Sequence, residues 1–367
     1  MSVILLIGGS GFIGTQIARA LVEGGHEVSV FVRGTTRGST ATLSAGVREI
    51  HGDRHRLQES AATLRALKPD VVIDCVLSSG RQARALMSTF RGTASRIVAV
   101  SSCDVYRACG VLHGSEPGPL EPIPLTESSP LRTRLQIYPA ARIRVMQQVF
   151  GWLDEEYDKI PVEREVLGDP DLPGTVLRLP MVYGPGDPQH RLFPIVKRVD
   201  DGRPFMMFEE KHAAWRSPRG YVENVAAAIV LAALSDRAAG RIYNVGEAES
   251  LSELAWARRV SGVAGWNGQL VTVPADRAPA HVLRPGNLDQ HWATDTTRVR
   301  QELGYAEPIA AEDAIGRTVE WTRAHPPPID ARAFDYTAED EARSEIRPTP
   351  SGDAAERGGP RNRVPDR

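Results

Sequence analysis

Val3-Ile4-Leu5-Leu6-Ile7 is apolar on both faces of an extended chain, the pattern of a central strand in a parallel sheet. The period then changes. Phe12, Ile13, Ile17, Leu21 and Val22 fall on one helical face, and Gly24-Gly25 stops that helix at Glu23. Residues 26–32 and 47–51 read as a second and a third strand. A helical pattern over 57–67 stops at Lys68-Pro69, and residues 70–76 and 96–101 make a fourth and a fifth strand. The stretch 138–157 predicts one helix, and 175–182 a strand that runs into the turn Tyr183-Gly184-Pro185-Gly186-Asp187. Beyond 185 the pattern loosens, with helices expected at 192–200, 223–234, 251–260 and 311–324 and a returning strand at 241–245.

Strands that alternate with helices at this spacing mean right-handed crossovers and a doubly wound parallel α/β sheet. The expected division is a sheet domain over 1–184 and a smaller mixed C-terminal region over 185–335, partly packed back on the sheet. Residues 336–367 are charged, rich in Pro, Gly and Arg and poor in large apolar side chains, and read as a disordered tail. No internal repeat is visible.

Composition narrows the partners. With 44 basic and 46 acidic residues the net charge is −2, which supplies no global field for nucleic acid or an anionic membrane. No apolar run is long enough to span a bilayer, and Val3–Ile7 lacks the charged flank of a signal peptide. The three cysteines, Cys75, Cys103 and Cys109, fit neither a disulfide framework nor a zinc site, so a cytoplasmic location and no metal are expected. His113, His281 and His291 have no ligand-like spacing.

Candidate chemistry starts at Gly8-Gly9-Ser10-Gly11-Phe12-Ile13-Gly14, placed directly between strand and helix. In that context Gly8 permits a tight turn, Gly11 lets backbone approach a diphosphate, and Gly14 lets the helix pack on the strand. The N–H groups and positive dipole end of the helix then face the phosphates of a nicotinamide dinucleotide, the Rossmann arrangement. The second strand ends in Val32-Arg33-Gly34, with Arg37 close behind, where an acidic residue would select NAD. A guanidinium there suits a 2′-phosphate, so NADP is favoured over NAD, the alternative being an ordinary surface arginine. Asp53 either accepts from the adenine amino group or caps the helix that follows it.

Taken together, Ile-Gly-Gly-Ser-Gly-Phe-Ile-Gly at 7–14, His-Gly-Asp-Arg at 51–54, Asp-Val-Val-Ile-Asp at 70–74, Ser-Ser-Cys-Asp-Val-Tyr at 101–106, the Leu-Arg-Leu-Pro-Met-Val-Tyr-Gly-Pro-Gly-Asp run at 177–187, Gly-Tyr-Val-Glu-Asn-Val-Ala at 220–226 and Tyr-Asn-Val-Gly at 243–246 resemble the extended short-chain dehydrogenase/reductases, in their NAD-dependent epimerase/dehydratase branch. The resemblance covers residues 1 to about 330. It implies hydride exchange with the nicotinamide, a Ser or Thr on the reacting oxygen, and a tyrosine acid/base helped by a lysine four residues on. Residues i and i+4 share a helix face, and a tyrosine with pKa near 10 needs such help at neutral pH. The matching residues are Ser102, Tyr138 and, in the place of the lysine, Arg142. A guanidinium keeps the charge but relays no proton, so Arg142 is a working substitute, the mark of an altered or slow enzyme, or the mark of a relic site.

The same resemblance bears on the reaction. The dehydratases carry Thr-Asp-Glu where this chain has Ser102-Cys103-Asp104, which disfavours elimination of water; Cys103 is a reactive thiol or a small buried residue. Many nucleotide-sugar epimerases carry an Asn where Met181 stands, and a thioether offers a phosphate no donor. Arg216 and Arg219 either bind an anionic substrate or form a solvated cluster, and His190 and Arg191 are placed to line a substrate cleft. The leading expectation is an NAD(P)-dependent oxidoreductase or epimerase acting on a sugar, nucleotide sugar or similar secondary alcohol, with a homodimer implied by the resemblance. The alternative is a dinucleotide-binding sensor or scaffold. An RNA-binding protein is the outsider, for want of a basic stripe.

Overall fold

The computed structural model describes residues 1–33 and 45–345. Arg37 lies outside them. In chain order the elements are β1 Val3–Ile7, α1 Phe12–Glu23, β2 Glu27–Val32, β3 Val47–His51, α2 Ala61–Ala66, β4 Val71–Asp74, α3 Gly80–Phe90, β5 Arg96–Ser102, α4 Arg107–Leu112, α5 Ala140–Val149, α6 Lys159–Leu167, β6 Gly174–Leu179, β7 Met181–Tyr183, α7 Phe193–Asp200, β8 Phe205–Glu209, α8 Glu210–Ala214, β9 Arg219–Tyr221, α9 Val222–Leu234, β10 Ile242–Asn244, α10 Glu253–Val263, β11 Gln269–Val273, α11 Thr297–Leu303, α12 Ala311–Ala324 and α13 Tyr336–Glu345.

Seven parallel strands form the main sheet in the order β3-β2-β1-β4-β5-β6-β10. The order reverses between β1 and β4, so a crevice opens there at the carboxyl ends of the strands, where doubly wound sheets take their ligands. Period-2 alternation feeds two cores. Ile4 and Leu6 of β1, Val98 and Val100 of β5 and Leu177 and Leu179 of β6 face α1 and α9. Leu5, Ile7, Ile97, Ala99 and Val176 face α3 and α6 on the other side. Two small parallel sheets, β7 with β9 and β8 with β11, belong to the later half of the chain. That half also returns β10 to the main sheet and lays α9 against α1.

Two expectations need correction. The helix expected over 138–157 is α5 alone, which ends at Val149; a turn over Phe150-Gly151-Trp152 follows, and a separate helix, α6, starts at Lys159. The expected disordered tail begins with α13. Its Glu339 is fully buried and accepts from Arg198 at 2.8 Å, with a ring nitrogen of His281 at 2.9 Å from the same oxygen. Composition misled because this helix docks through ion pairs and arginine–aromatic packing, such as Arg203 on Tyr336 and Arg343 on Phe205, rather than through an apolar stripe.

Candidate active site

The glycine turn sits between β1 and α1 as its residues require. Gly8 has φ +85°, and a Cβ there would stand 2.6 Å from Val76 Cγ1. A Cβ on Gly14 would stand 2.2 Å from the Gly8 carbonyl oxygen and 2.7 Å from Gly9 Cα, so helix and strand approach closer than any side chain permits. α1 has Gly11 at its N-cap, no side-chain cap and no acidic residue in its first turn. A helix start without a competing cap or carboxylate, reached by bare backbone, fits a dinucleotide diphosphate. Ser10, Phe12 and Ile13 complete the turn, and Gly186 brings the Gly184–Asp187 turn toward the Phe12 ring.

Arg33 follows β2 at the rim of this crevice. Its Nη1 donates to the carbonyl of Gly151 at 2.8 Å, so the segment after α5 reaches across to the β2 end. Asp53 Oδ1 accepts from the His55 N–H at 2.9 Å and caps the turn that follows, the structural one of its two readings.

A polar cluster gathers on Asp104, just beyond β5. Ser102 Oγ, at the end of β5, accepts from the Asp104 N–H at 3.2 Å. Tyr138 and Tyr157 donate to Asp104 Oδ2 at 3.4 and 3.1 Å, with their rings 5.9 Å apart. Asp104 Oδ1 is buried without a partner among the described residues. Burial pushes the Asp104 carboxyl up, and the Arg132 guanidinium beside it opposes the shift. Burial, reinforced by Asp104, pushes both tyrosines well above their ordinary value, so both hydroxyls are protonated donors at neutral pH. Cys103 is buried, its thiol pushed up by desolvation, and it donates to the Arg178 carbonyl at 3.7 Å; it is the small buried residue rather than a reactive thiol.

The cation of this cluster is not Arg142. That side chain is exposed on α5 and makes no hydrogen bond or ion pair among the described residues, because α5 turns only Ile143 into the protein. Lys159 holds the inner position instead. Its Nζ donates to the carbonyls of Leu77 and, at 3.0 Å, of Val100, and lies 5.4 Å from the centre of the Trp152 ring and 5.9 Å from that of Tyr157. Burial lowers its pKa to about 8, against the pull of Asp104 and Asp74. Tyr157 and Lys159 flank an extended Asp158, φ −162° and ψ 128°, so they share a side at period 2 rather than at helical period. Glu163, one helical turn after Lys159, is buried against Arg178 at 2.7 Å and Ser101 at 2.6 Å. The sequence carried a signal for Lys159: it is one of four lysines in a chain of 44 basic residues, followed four residues on by a glutamate.

A cleft of about 850 Å³ is walled by α4, α5, the β6–α7 connection, β8, β9 and the segment before α13; Ser102, Asp104, Tyr138, Tyr157 and Lys159 are not among its lining residues. His190 and Arg191 line it as expected. Arg219 lines it too, buried and paired with Glu253 at 2.5 Å. Arg216 does not line it: half-exposed, it donates from Nε to the Ser250 carbonyl at 2.8 Å and lies 3.9 Å from Glu249. Among the described residues no group of His, Cys, Asp and Glu is arranged to hold a metal, and no helix is long and apolar enough to cross a membrane.

Residues 4–246 match the family model of the NAD dependent epimerase/dehydratase family. A dTDP-glucose 4,6-dehydratase of Streptomyces niveus is 26% identical over 339 residues, 87% of this chain and 92% of the relative. A 2′-dehydrokanamycin reductase of Streptomyces kanamyceticus is 25% identical over 313 residues, 84% of this chain and 78% of the relative. Among solved structures, a dTDP-glucose 4,6-dehydratase of Bacillus anthracis in complex with NAD superposes with TM-score 0.61 at 15% identity, covering 89% of this chain and 97% of that one.

Proposed function

Since the chain belongs to the NAD-dependent epimerase/dehydratase family, we propose that it is a nicotinamide-dependent oxidoreductase that reduces a ketone, or oxidises the matching secondary alcohol, at the Asp104 cluster. The observation that carries this reading is the pair of tyrosine hydroxyls on one buried carboxylate, with a buried ammonium behind them. Gly8, Ser10, Gly11, Phe12, Ile13 and Gly14 would hold the diphosphate of the dinucleotide. The chemistry that a bound nicotinamide supplies is acceptance or donation of a hydride.

The chain's own groups handle the proton. Tyr138, half-buried where Tyr157 is fully buried, presents a protonated hydroxyl to the substrate oxygen. The proton it gives up is replaced from solvent, while Asp104, accepting from both hydroxyls, holds Tyr138 and Tyr157 in one hydrogen-bonded cluster. Ser102 steadies the same oxygen, and Lys159 holds positive charge close to the cluster. Elimination of water is disfavoured, because Cys103 stands where a second carboxylate would be needed.

For the cofactor we propose NADP over NAD. No carboxylate ends β2, and Arg33, held by one nitrogen on the Gly151 carbonyl, keeps further donors for a 2′-phosphate. Nicotinamide fluorescence titration with NADPH and NADH tests this directly: tighter NADPH binding that Arg33→Ala abolishes is expected, and equal or tighter NADH binding overturns the preference. For the chemistry, Tyr138→Phe is expected to lower kcat about 10²–10⁴-fold against a panel of ketones and sugar alcohols, with the fold intact by circular dichroism. Unchanged turnover in that variant overturns the mechanism.

A further inference from the structure

A short piece of chain crosses the carboxyl edge of the main sheet. β1 lies between β2 and β4. Arg33, directly after β2, donates from Nη1 to the Gly151 carbonyl at 2.8 Å, and a Cβ on Gly151 would stand 3.3 Å from Nη2, so both terminal nitrogens of the guanidinium face that glycine. Three residues on, the Asp154 N–H donates to Ser78 Oγ at 2.8 Å, and Asp154 Oδ2 accepts from Ser79 Oγ at 2.6 Å. Both serines belong to the segment between β4 and α3. Chain tied beyond β2 at one end and beyond β4 at the other passes over the carboxyl end of β1. The span is two strand spacings, about 10 Å, which three residues and the reach of an arginine side chain cover.

The crossing is a formed turn. The Leu153 N–H donates to the Phe150 carbonyl at 2.9 Å, and Gln147 Nε2 to the Leu153 carbonyl at 3.1 Å. Leu153 is buried with Ile143 and Tyr157 in a small cluster apart from the two main cores, and Tyr138, Phe150 and Trp152 pack against it. The Trp152 ring centre stands 5.4 Å from the Lys159 ammonium, which the carbonyls of Leu77 and Val100 hold beyond β4 and at β5. The glycine turn lies at the same end of β1. A dinucleotide with its diphosphate there extends its adenosine half toward β2 and, on the oxidoreductase reading above, its nicotinamide half toward Asp104 beyond β5. The 150–153 turn lies across that line.

We propose that the 150–153 turn is a latch over the dinucleotide crevice, held shut by Arg33 on the Gly151 carbonyl, and that a dinucleotide enters by displacing it. α5, on which the turn hangs, buries only Ile143, so the latch moves at little expense to the core. Selection between cofactors follows from the same contact. A 2′-phosphate is an anion, a stronger acceptor for a guanidinium than a peptide carbonyl, so NADP draws away the group that holds the turn. NAD has to displace the turn with Arg33 still on it. Gly151 and its turn thereby contribute to cofactor choice, beyond the phosphate contact itself.

Amide exchange read by mass spectrometry and nicotinamide fluorescence titration, both on the full chain, test the latch. Saturating NADPH, or adenosine 2′,5′-bisphosphate, is expected to speed exchange at Phe150, Leu153 and Asp154 at least fivefold and to leave α6 unchanged. Arg33→Ala is expected to raise NADH affinity about three- to tenfold, the size of one hydrogen bond, which an arginine that only grips a 2′-phosphate does not do. Asp154→Ala, at the opposite anchor, is expected to raise affinity for NADH and NADPH alike by a similar factor, with the sheet intact by thermal unfolding. Slower exchange in the turn on binding makes it a roof over bound cofactor; that result, or NADH affinity unchanged or lower in both variants, overturns the latch and leaves the oxidoreductase reading standing. No dinucleotide binding by the unaltered chain or by either variant overturns both.

Discussion

A lysine ammonium enclosed by two carbonyls and two aromatic rings gains less than it loses on leaving water, so its pKa falls to about 8. Two expectations follow for Lys159. The cation helps the cluster only while protonated, so turnover that depends on it declines as pH rises through about 8, and Lys159→Met shows a flat profile at a much lower rate. For stability the sign is the opposite. Between about 8 and the unfolded value of 10.5 the unfolded chain binds the extra proton, so stability of the wild type relative to Lys159→Met rises with pH across that window, by at most about 3 kcal/mol. Urea unfolding of both proteins at pH 7.5 and 10.5 measures it, and no difference in their pH slopes would count against the buried ammonium. Arg142→Ala, at an exposed position, is expected to leave both stability and turnover within experimental error. The buried cation was hidden from spacing alone because the pair Tyr157 and Lys159 sits on an extended turn, whereas the Tyr138-to-Arg142 spacing imitates the helical rule. Ser102 and Tyr138, which the sequence singled out, both stand at Asp104.

Elements whose buried face is mainly apolar declared themselves in the sequence. β1, α1, β3 and α12 have the bounds that periodicity predicts, since Val3–Ile7, the Ile17 and Leu21 stripe and the Ala314, Ile315 and Val319 stripe carry no functional polar groups inward. α6 was invisible for the converse reason: Lys159 and Glu163 occupy its buried face between Ile160, Val162 and Val166, which breaks the apolar pattern at the positions the site needs. α5 and α6 therefore differ in anchorage. α6 packs into the core beneath β5 and β6, whereas α5 buries one residue, Ile143, and its following turn is tied to β2 by the Arg33–Gly151 hydrogen bond. Hydrogen exchange is expected to be faster in α5 than in α6 by at least tenfold, and Arg33→Ala is expected to speed exchange at Phe150–Leu153 while leaving α6 unchanged. At the glycine turn, where a Cβ would overlap the Gly8 carbonyl, Gly14→Ala is expected to destabilise by about 1–3 kcal/mol and to abolish NADP binding, read by thermal unfolding and fluorescence titration.

At the scale of the molecule, α13 anchors a segment that borders the cleft. The segment before α13 supplies Pro327, Pro328 and Phe334 to the cleft wall, and α13 is held on α7 by Glu339 against Arg198, by Asp340 against Arg203, and by the Tyr336 hydroxyl on Asp201 at 2.6 Å. Glu339 is the keystone: fully buried, it receives both Arg198 and His281, and His281 is itself a cleft residue. Removing one member of a buried ion pair leaves the other uncompensated, at a cost of roughly 3–5 kcal/mol. A helix docked mainly by polar contacts cannot absorb that loss, because little apolar burial remains to hold it. Glu339→Ala is therefore expected to release α13 without unfolding the sheet: limited proteolysis should cut within 325–335 at least tenfold faster than in the wild type, and the main unfolding transition should move little. Since Phe334 leaves the wall when α13 does, ligand affinity in the cleft should fall in the same variant while dinucleotide binding at the glycine turn stays unchanged. A variant that instead loses both together would show that the cleft and the dinucleotide crevice unfold as one unit, with α13 holding the whole rather than closing one site.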